Sequence, residues 1–169
     1  TYFKNCRKGA VTIVNQSNLF IDTGVTIESS QNASLRAINN SEIKAVNLII
    51  NKTNGNAINL KKSNGCFVNC DIKETTFPTV AIKGYGSNPK FENCNFNDNL
   101  NDFCVICKDG CRPLFDHCNF LDCLKENISI DTVSQPTLLD CNFKKKKIDF
   151  DKNYKKKKEK EKEREIYQK

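Results

Sequence analysis

A chain of 169 residues with ten cysteines, no methionine and no tryptophan is long enough to bury a core without relying on disulfide staples. Its formal charge of +7 resides in residues 144–169, where 13 Lys and Arg meet 6 Asp and Glu, while residues 1–143 balance 14 against 14. The body therefore lacks the basic footprint of a nucleic-acid-binding surface, and no window of ~18 apolar residues offers a membrane helix.

No signal-peptide pattern opens the chain, and a start at Thr1 without any Met reads as a segment of something longer. In chain order the apolar segments are short and alternate with period two, which predicts strands. Asn5-Cys6 reads as an early, closely spaced member of the motif that follows. Val11 and Ile13 come next, then Gly24-Val25-Thr26-Ile27, Leu35, Asn47-Leu48-Ile49-Ile50 and Ile58. From there the repeat is explicit. Phe67-Val68-Asn69-Cys70-Asp71-Ile72 returns as Phe91-Glu92-Asn93-Cys94-Asn95-Phe96, as Phe115-Asp116-His117-Cys118-Asn119-Phe120, and as Leu138-Leu139-Asp140-Cys141-Asn142-Phe143. The four cysteines lie 24, 24 and 23 residues apart. Between them runs a second apolar stripe of Ile13, Leu35, Ile58, Ile82, Ile106 and Ile130, flanked by Val11, Val80, Cys104 and Ile128. Gly65, Pro89, Pro113 and Pro136 stand five residues before each cysteine.

Segments this short hold regular spacing only if each repeat stacks on its neighbour. The predicted fold is all-β: a right-handed parallel β-helix of about six coils of 22–24 residues over residues 1–143. At the parallel strand spacing of ~4.8 Å, six coils make a prism roughly 29 Å long. Like residues stack as ladders, which is why the identities recur. The residue before each ladder position is Gly24, Asn47, Asn69, Asn93, His117 and Asp140. These are the side chains most tolerant of positive φ, so the column is predicted to be a left-handed corner, with Asn side chains bonding into an asparagine ladder.

The F-x-N-C-x-F repeat with Pro or Gly upstream resembles the parallel β-helix repeats of the pectate-lyase-like superfold, across roughly residues 11–143. Within that group it is most similar to the intracellular β-helix of F-box ubiquitin-ligase adaptors and Shc-binding proteins. The resemblance implies fold first, and recognition of a protein partner as the natural role.

Chemical candidates are few. Cys70, Cys94, Cys118 and Cys141 share an inward column and read as small buried hydrophobes. Cys104, Cys107 and Cys111 have a spacing that suggests zinc or redox chemistry, yet Cys104 falls in the apolar column, Cys107 on the opposite parity beside Lys83 and Asp131, and Cys111 in a turn. A structural role is favoured, and thiols in this number favour a reducing, cytoplasmic compartment. His117 is the single histidine and stands in the corner column, which argues against triad or metal chemistry. Polysaccharide-cleaving chemistry needs clustered carboxylates on one face with a cation. The body offers Arg7, Arg36 and Arg112 and no Asp column. Asp98, Asp102, Asp122 and Glu126 are placed in loops and read as a solvated rim. Phe residues are expected inward, leaving Tyr85 as the main exposed aromatic. Sequons begin at Asn15, Asn32, Asn39, Asn51 and Asn127, only modestly more than an Asn-rich composition brings by itself, and they read as coincidence. No catalytic, cofactor or metal residue is assigned.

Residues 144–169 change character, with Lys144–Lys147, Lys155–Lys158 and an alternating Glu-Lys run. They read as a linker or an exposed helix, with weak contact to anionic surfaces as an alternative. Ile148 and Phe150 are expected to fold back over the open last coil. The sequence as a whole reads as a non-enzymatic protein-interaction or scaffold module. A carbohydrate-binding or polysaccharide-degrading β-helix is the alternative.

Overall fold

The computed structural model describes residues 1–145. They form a right-handed parallel β-solenoid of about six turns, without helices, built from three parallel sheets of seven, six and six strands. The first sheet runs from Tyr2–Lys4 through Thr26–Glu28, Ile49–Thr53, Asp71–Thr75, Asn95–Asn97 and Asn119–Cys123 to Asn142–Lys145. The second comprises Val11–Val14, Leu35–Ile38, Ile58–Lys61, Val80–Lys83, Val105–Lys108 and Ile128–Ile130. The third comprises Asn18–Ile21, Glu42–Val46, Asn64–Val68, Lys90–Glu92, Leu114–Asp116 and Thr137–Leu139.

Three- to five-residue strands are stable here because each pairs with the coil above and the coil below. Each also sends alternate side chains into a shared interior. Phe67, Phe91 and Phe115 stack face to face with centroids 4.8 and 5.0 Å apart. Phe96, Phe120 and Phe143 form a second stack at 5.1 and 5.0 Å, and the two stacks meet edge to face. Gly65 sits where the first stack begins. A Cβ there would lie 2.6 Å from the Phe67 ring and 2.8 Å from the Ile43 carbonyl oxygen.

The predicted corner is present. Gly24, Asn47, Asn69, Asn93, His117 and Asp140 all have positive φ, between 47° and 77°. They stack through backbone bonds: the amides of Asn69, Asn93 and His117 donate to the carbonyls of Glu92, Asp116 and Leu139 at 2.9 Å. The other two corners work the same way. Asn5, Ser29, Lys52, Glu74, Asp98 and Asp122 turn the chain from the first sheet to the second. Asn15, Asn39, Lys62, Gly84 and Asp109 turn it from the second to the third. Asn93→Val puts a β-branched residue at φ 51° and is expected to cost about 1–3 kcal/mol in urea unfolding. A midpoint unchanged from the parent would remove the corner argument.

Several register expectations are corrected. Asn5-Cys6 belongs to the first-to-second corner, where the Gln31 amide donates to the Cys6 carbonyl, not to the Asn-Cys column. The second-sheet stripe splits into two inward ladders. Val11, Leu35, Ile58, Val80, Val105 and Ile128 form one, and Ile13, Ala37, Leu60, Ile82, Cys107 and Ile130 the other. Ile106 faces out beside Ala81, and Cys107 faces in, because the stretch before Val105 is longer than in the other coils. Phe20 and Phe77 are exposed and not inward. The asparagine ladder is not at the predicted corner: Asn119 Nδ2 donates to Asn95 Oδ1 at 2.8 Å, and Asn39 Nδ2 to Asn15 Oδ1 at 3.1 Å. Ile148, Phe150 and the expected cap lie outside the described residues.

Candidate functional site

A three-sided coil has narrow interior angles, and small side chains fill them. Cys70, Cys94, Cys118 and Cys141 line one angle, and each thiol reaches carbonyls across it, as Cys94 does toward Phe67 and Glu92 at 3.4 Å. Contact with Cys118 and Cys70, together with burial, raises the Cys94 thiol far above its ordinary range. These are space-filling thiols, as the sequence implies. Ser17, Ser41, Ser63 and Ser87 line the second angle, with amide-to-hydroxyl bonds of 3.1–3.3 Å from each coil to the next. Cys111 continues that column, its Sγ 3.6 Å from the Ser134 hydroxyl. The third angle holds Cys6, Ser30, Thr53, Thr75, Asn99 and Cys123. These serine and threonine columns were legible as residues spaced 22–24 apart, yet their polarity hid them from an apolar search.

Cys104 and Cys123 are joined by a disulfide with Cα atoms 6.0 Å apart, in the place where Ser34 and Thr53 share a hydroxyl bond one end of the solenoid away. Of the three cysteines whose spacing suggested a site, Cys104 is thus drawn away to Cys123, whereas the Cys107 and Cys111 thiols meet, a contact that raises the pKa of the first and lowers that of the second. Eight cysteines are free. Alkylation in denaturant without reductant should modify eight cysteines and, after reduction, ten, as read by intact mass. Ten before reduction would mean that the pair stays as thiols.

His117 is exposed at its corner. The Asp116 carboxylate, 2.7 Å from Nδ1, holds its pKa above the usual value. The expected loop acids separate: Asp102 pairs with Lys125 at 3.1 Å, whereas Asp98 and Asp122 stack with Glu74 along the first-to-second corner. An acidic column exists after all, continuing from Lys52. Sequence pattern missed it because the column mixes Lys, Glu and Asp. Among the described residues, no three His, Cys, Asp or Glu are placed to hold a metal ion. Of the sequon asparagines, Asn15, Asn32 and Asn39 are exposed, while Asn51 and Asn127 bury their Oδ1 atoms.

The outer faces differ in how they treat charge. On the first and third sheets the lysines before the last coil are neutralised locally: Lys4 and Lys52 by Glu28, Lys44 by Glu42, Lys73 by Asp71, and Lys90 by Glu92 and Asp116. Lys144, on the open last coil, has no such partner among the described residues. On the second sheet Lys61, Lys83 and Lys108 lie in direct register on three consecutive coils. With Lys62 at the adjoining corner, they have no ion-pair partner among the described residues. Like charges in register oppose sheet pairing, so nothing in the fold itself asks for this row.

Beside the row the chain makes a Gly84-Tyr85-Gly86 excursion, with φ 103° and 80° at its glycines. Tyr85 is 75% exposed and lies against Gly110 of the next coil, where a Cβ would come within 2.5 Å of its ring. The Lys62 stem packs over Gly84, with Cγ 2.8 Å from where a Cβ would stand. Lys61, Lys62, Lys83, Gly84, Tyr85 and Asp109 enclose an open groove of about 540 Å³. Asp131 ends the row, but its carboxylate is taken up by Ser134 and by the backbone amides of Asp109 and Val133, which hold its pKa low. Of these residues sequence reasoning found Tyr85 and noticed Lys83 only as a neighbour of Cys107. The signal was there: each lysine stands three residues after the ladder positions Ile58, Val80 and Val105.

A family model described as right handed beta helix region matches residues 33–154. No curated protein and no solved structure matches the chain.

Proposed function

The chain belongs to the right-handed β-helix family, and on that premise we propose that it is a non-enzymatic interaction module whose second-sheet face takes a protein partner. The observation that carries this reading is the in-register row of Lys61, Lys83 and Lys108, unpaired and set beside the exposed Tyr85. The coils supply a rigid backing, so side chains on that face keep fixed spacings and a partner need not order them on binding. The resemblance to the β-helix of F-box adaptors supports the same role. The reading includes a cytoplasmic setting, supported by the eight free cysteines, with the Cys104–Cys123 disulfide weighing against it; microscopy of the fluorescently tagged chain in its source cell tests it.

Chemical cross-linking of the chain to proteins of its source cell tests it. A specific partner should be captured by the parent and lost with Lys61→Glu, Lys83→Glu, Lys108→Glu and Tyr85→Ala together. Capture that is indifferent to these changes removes the face from the reading.

The stacked Glu74, Asp98 and Asp122 beside Lys52 favour a second reading, a carbohydrate-active β-helix. A glycan array and a polysaccharide-cleavage assay separate the two. Binding or cleavage abolished by Glu74→Gln with Asp122→Asn, and untouched by changes at Lys83 and Tyr85, selects the second.

A further inference from the structure

We propose that the occupant of the lysine row is a short acidic segment of a partner protein, lying extended along the solenoid axis across the three coils that carry Lys61, Lys83 and Lys108. The inference rests on the interaction-module reading and adds the partner's chemistry.

Charge complementarity sets the sign of the ligand. Three ammonium groups stand in consecutive register, a fourth from Lys62 adjoins them, and no carboxylate of the described residues pairs with any of them. In every coil before the last the other two sheets pair their lysines, so the lack of pairing here is local. An anion that bridges the row removes the repulsion among its members.

Extent sets the length. Two steps of ~4.8 Å span about 10 Å, the reach of roughly three residues of extended chain at ~3.3 Å each. Beyond that the row is not basic. It passes into Ile38 and Val14 on one side and Asp131 on the other. A long polyanion would meet a neutral body past the third coil, whereas two or three clustered carboxylates fit the strip as it stands.

Shape favours a peptide over a nucleic acid. Tyr85 is the single aromatic lining the groove, and one side of its ring is occupied by Gly110, so successive bases find no stacking platform. The row contains lysine and no arginine. Tyr85 supplies an apolar face and a hydroxyl to a residue flanking the acids, and the glycines around it keep the backbone low enough for a chain to approach.

Fluorescence anisotropy on the full 169-residue chain tests the proposal, with a labelled octaglutamate peptide as probe and with octalysine and a single-stranded oligonucleotide as further arms. Octaglutamate should bind, weaken as salt is added, and lose roughly tenfold or more in affinity with Lys61→Glu, Lys83→Glu and Lys108→Glu together. Lysine-to-arginine changes at the same three positions should restore binding, which a fold defect would not allow. Affinity within twofold of the parent after charge reversal assigns the binding to residues 144–169 and overturns the proposal. So does an oligonucleotide that binds more tightly and responds to the same changes. If cross-linking still captures a partner through this face but octaglutamate does not bind, the acidic chemistry fails and the face stands. If neither responds, both fail.

Discussion

Phe91→Ala is expected to lower unfolding free energy by about 3–5 kcal/mol, the upper range for a buried aromatic truncation. The ring is fully buried, sandwiched between Phe67 at 4.8 Å and Phe115 at 5.0 Å, with the edge of Phe96 at 5.7 Å. Alanine would leave a ring-sized void that its neighbours cannot close. Their positions are fixed by backbone pairing to the coils above and below, and no helix or sheet can slide inward as a unit. The void also lies in the middle of the solenoid, where it weakens the contact between two halves. Phe143 is the internal control. It ends the second stack and is 45% exposed, so Phe143→Ala removes less burial and should cost less than half as much. Urea unfolding followed by circular dichroism gives both values. Equal losses at the two sites would show that ring burial along the stack is not what holds the coils together.

The fold was legible because its determinants repeat. Phe67, Phe91 and Phe115 recur at one spacing, and stacking requires that like residues meet. The corner at Asn69, Asn93 and His117 was legible because positive φ selects a few residue types. The corner that runs through Ser29, Lys52 and Glu74 obeys the same backbone geometry but there uses residues without that preference, so composition gave little sign of it. There the strain is absorbed by pairing on both sides, an override that a single repeat cannot reveal. The registers of Ile106 and Cys107 were lost for a related reason: one extra residue between Phe96 and Val105 shifts the alternation by one and exchanges the inner and outer faces. The lysine row was hidden by averaging. A body with zero net charge can still place its lysines together, and only the pairing register shows that the acids lie elsewhere.

Asn99→Leu is expected to cost about 3 kcal/mol or more although it keeps the branching of the side chain and adds apolar surface. Asn99 is 2% exposed and holds the longer excursion that precedes the second-sheet strand Val105–Lys108. Its Nδ2 lies 2.6 Å from the Phe77 carbonyl oxygen, 3.1 Å from that of Phe103, and 3.0 Å from the Thr75 hydroxyl. Its Oδ1 accepts from the amides of Asp102 at 2.6 Å and Asn101 at 3.2 Å. One side chain thus serves backbone groups on both sides of a corner, the two carbonyls through its two donor hydrogens and the amides through its oxygen. Leucine matches the heavy-atom branching, is bulkier, and offers none of these bonds. Each buried group left without a partner costs about 1–3 kcal/mol, so two carbonyls and two amides outweigh the leucine side chain's transfer gain of roughly 2 kcal/mol. Asn95→Leu supplies the contrast. Asn95 accepts from Asn119 on the outer face, where solvent replaces the lost bond, and the change should stay under about 1 kcal/mol. Loss of the Asn99 network should also raise amide hydrogen exchange at Asn101 and Asp102 before the rest of the coil opens. If Asn99→Leu unfolds at the parent's urea midpoint with unchanged exchange there, packing and not this amide fixes the excursion.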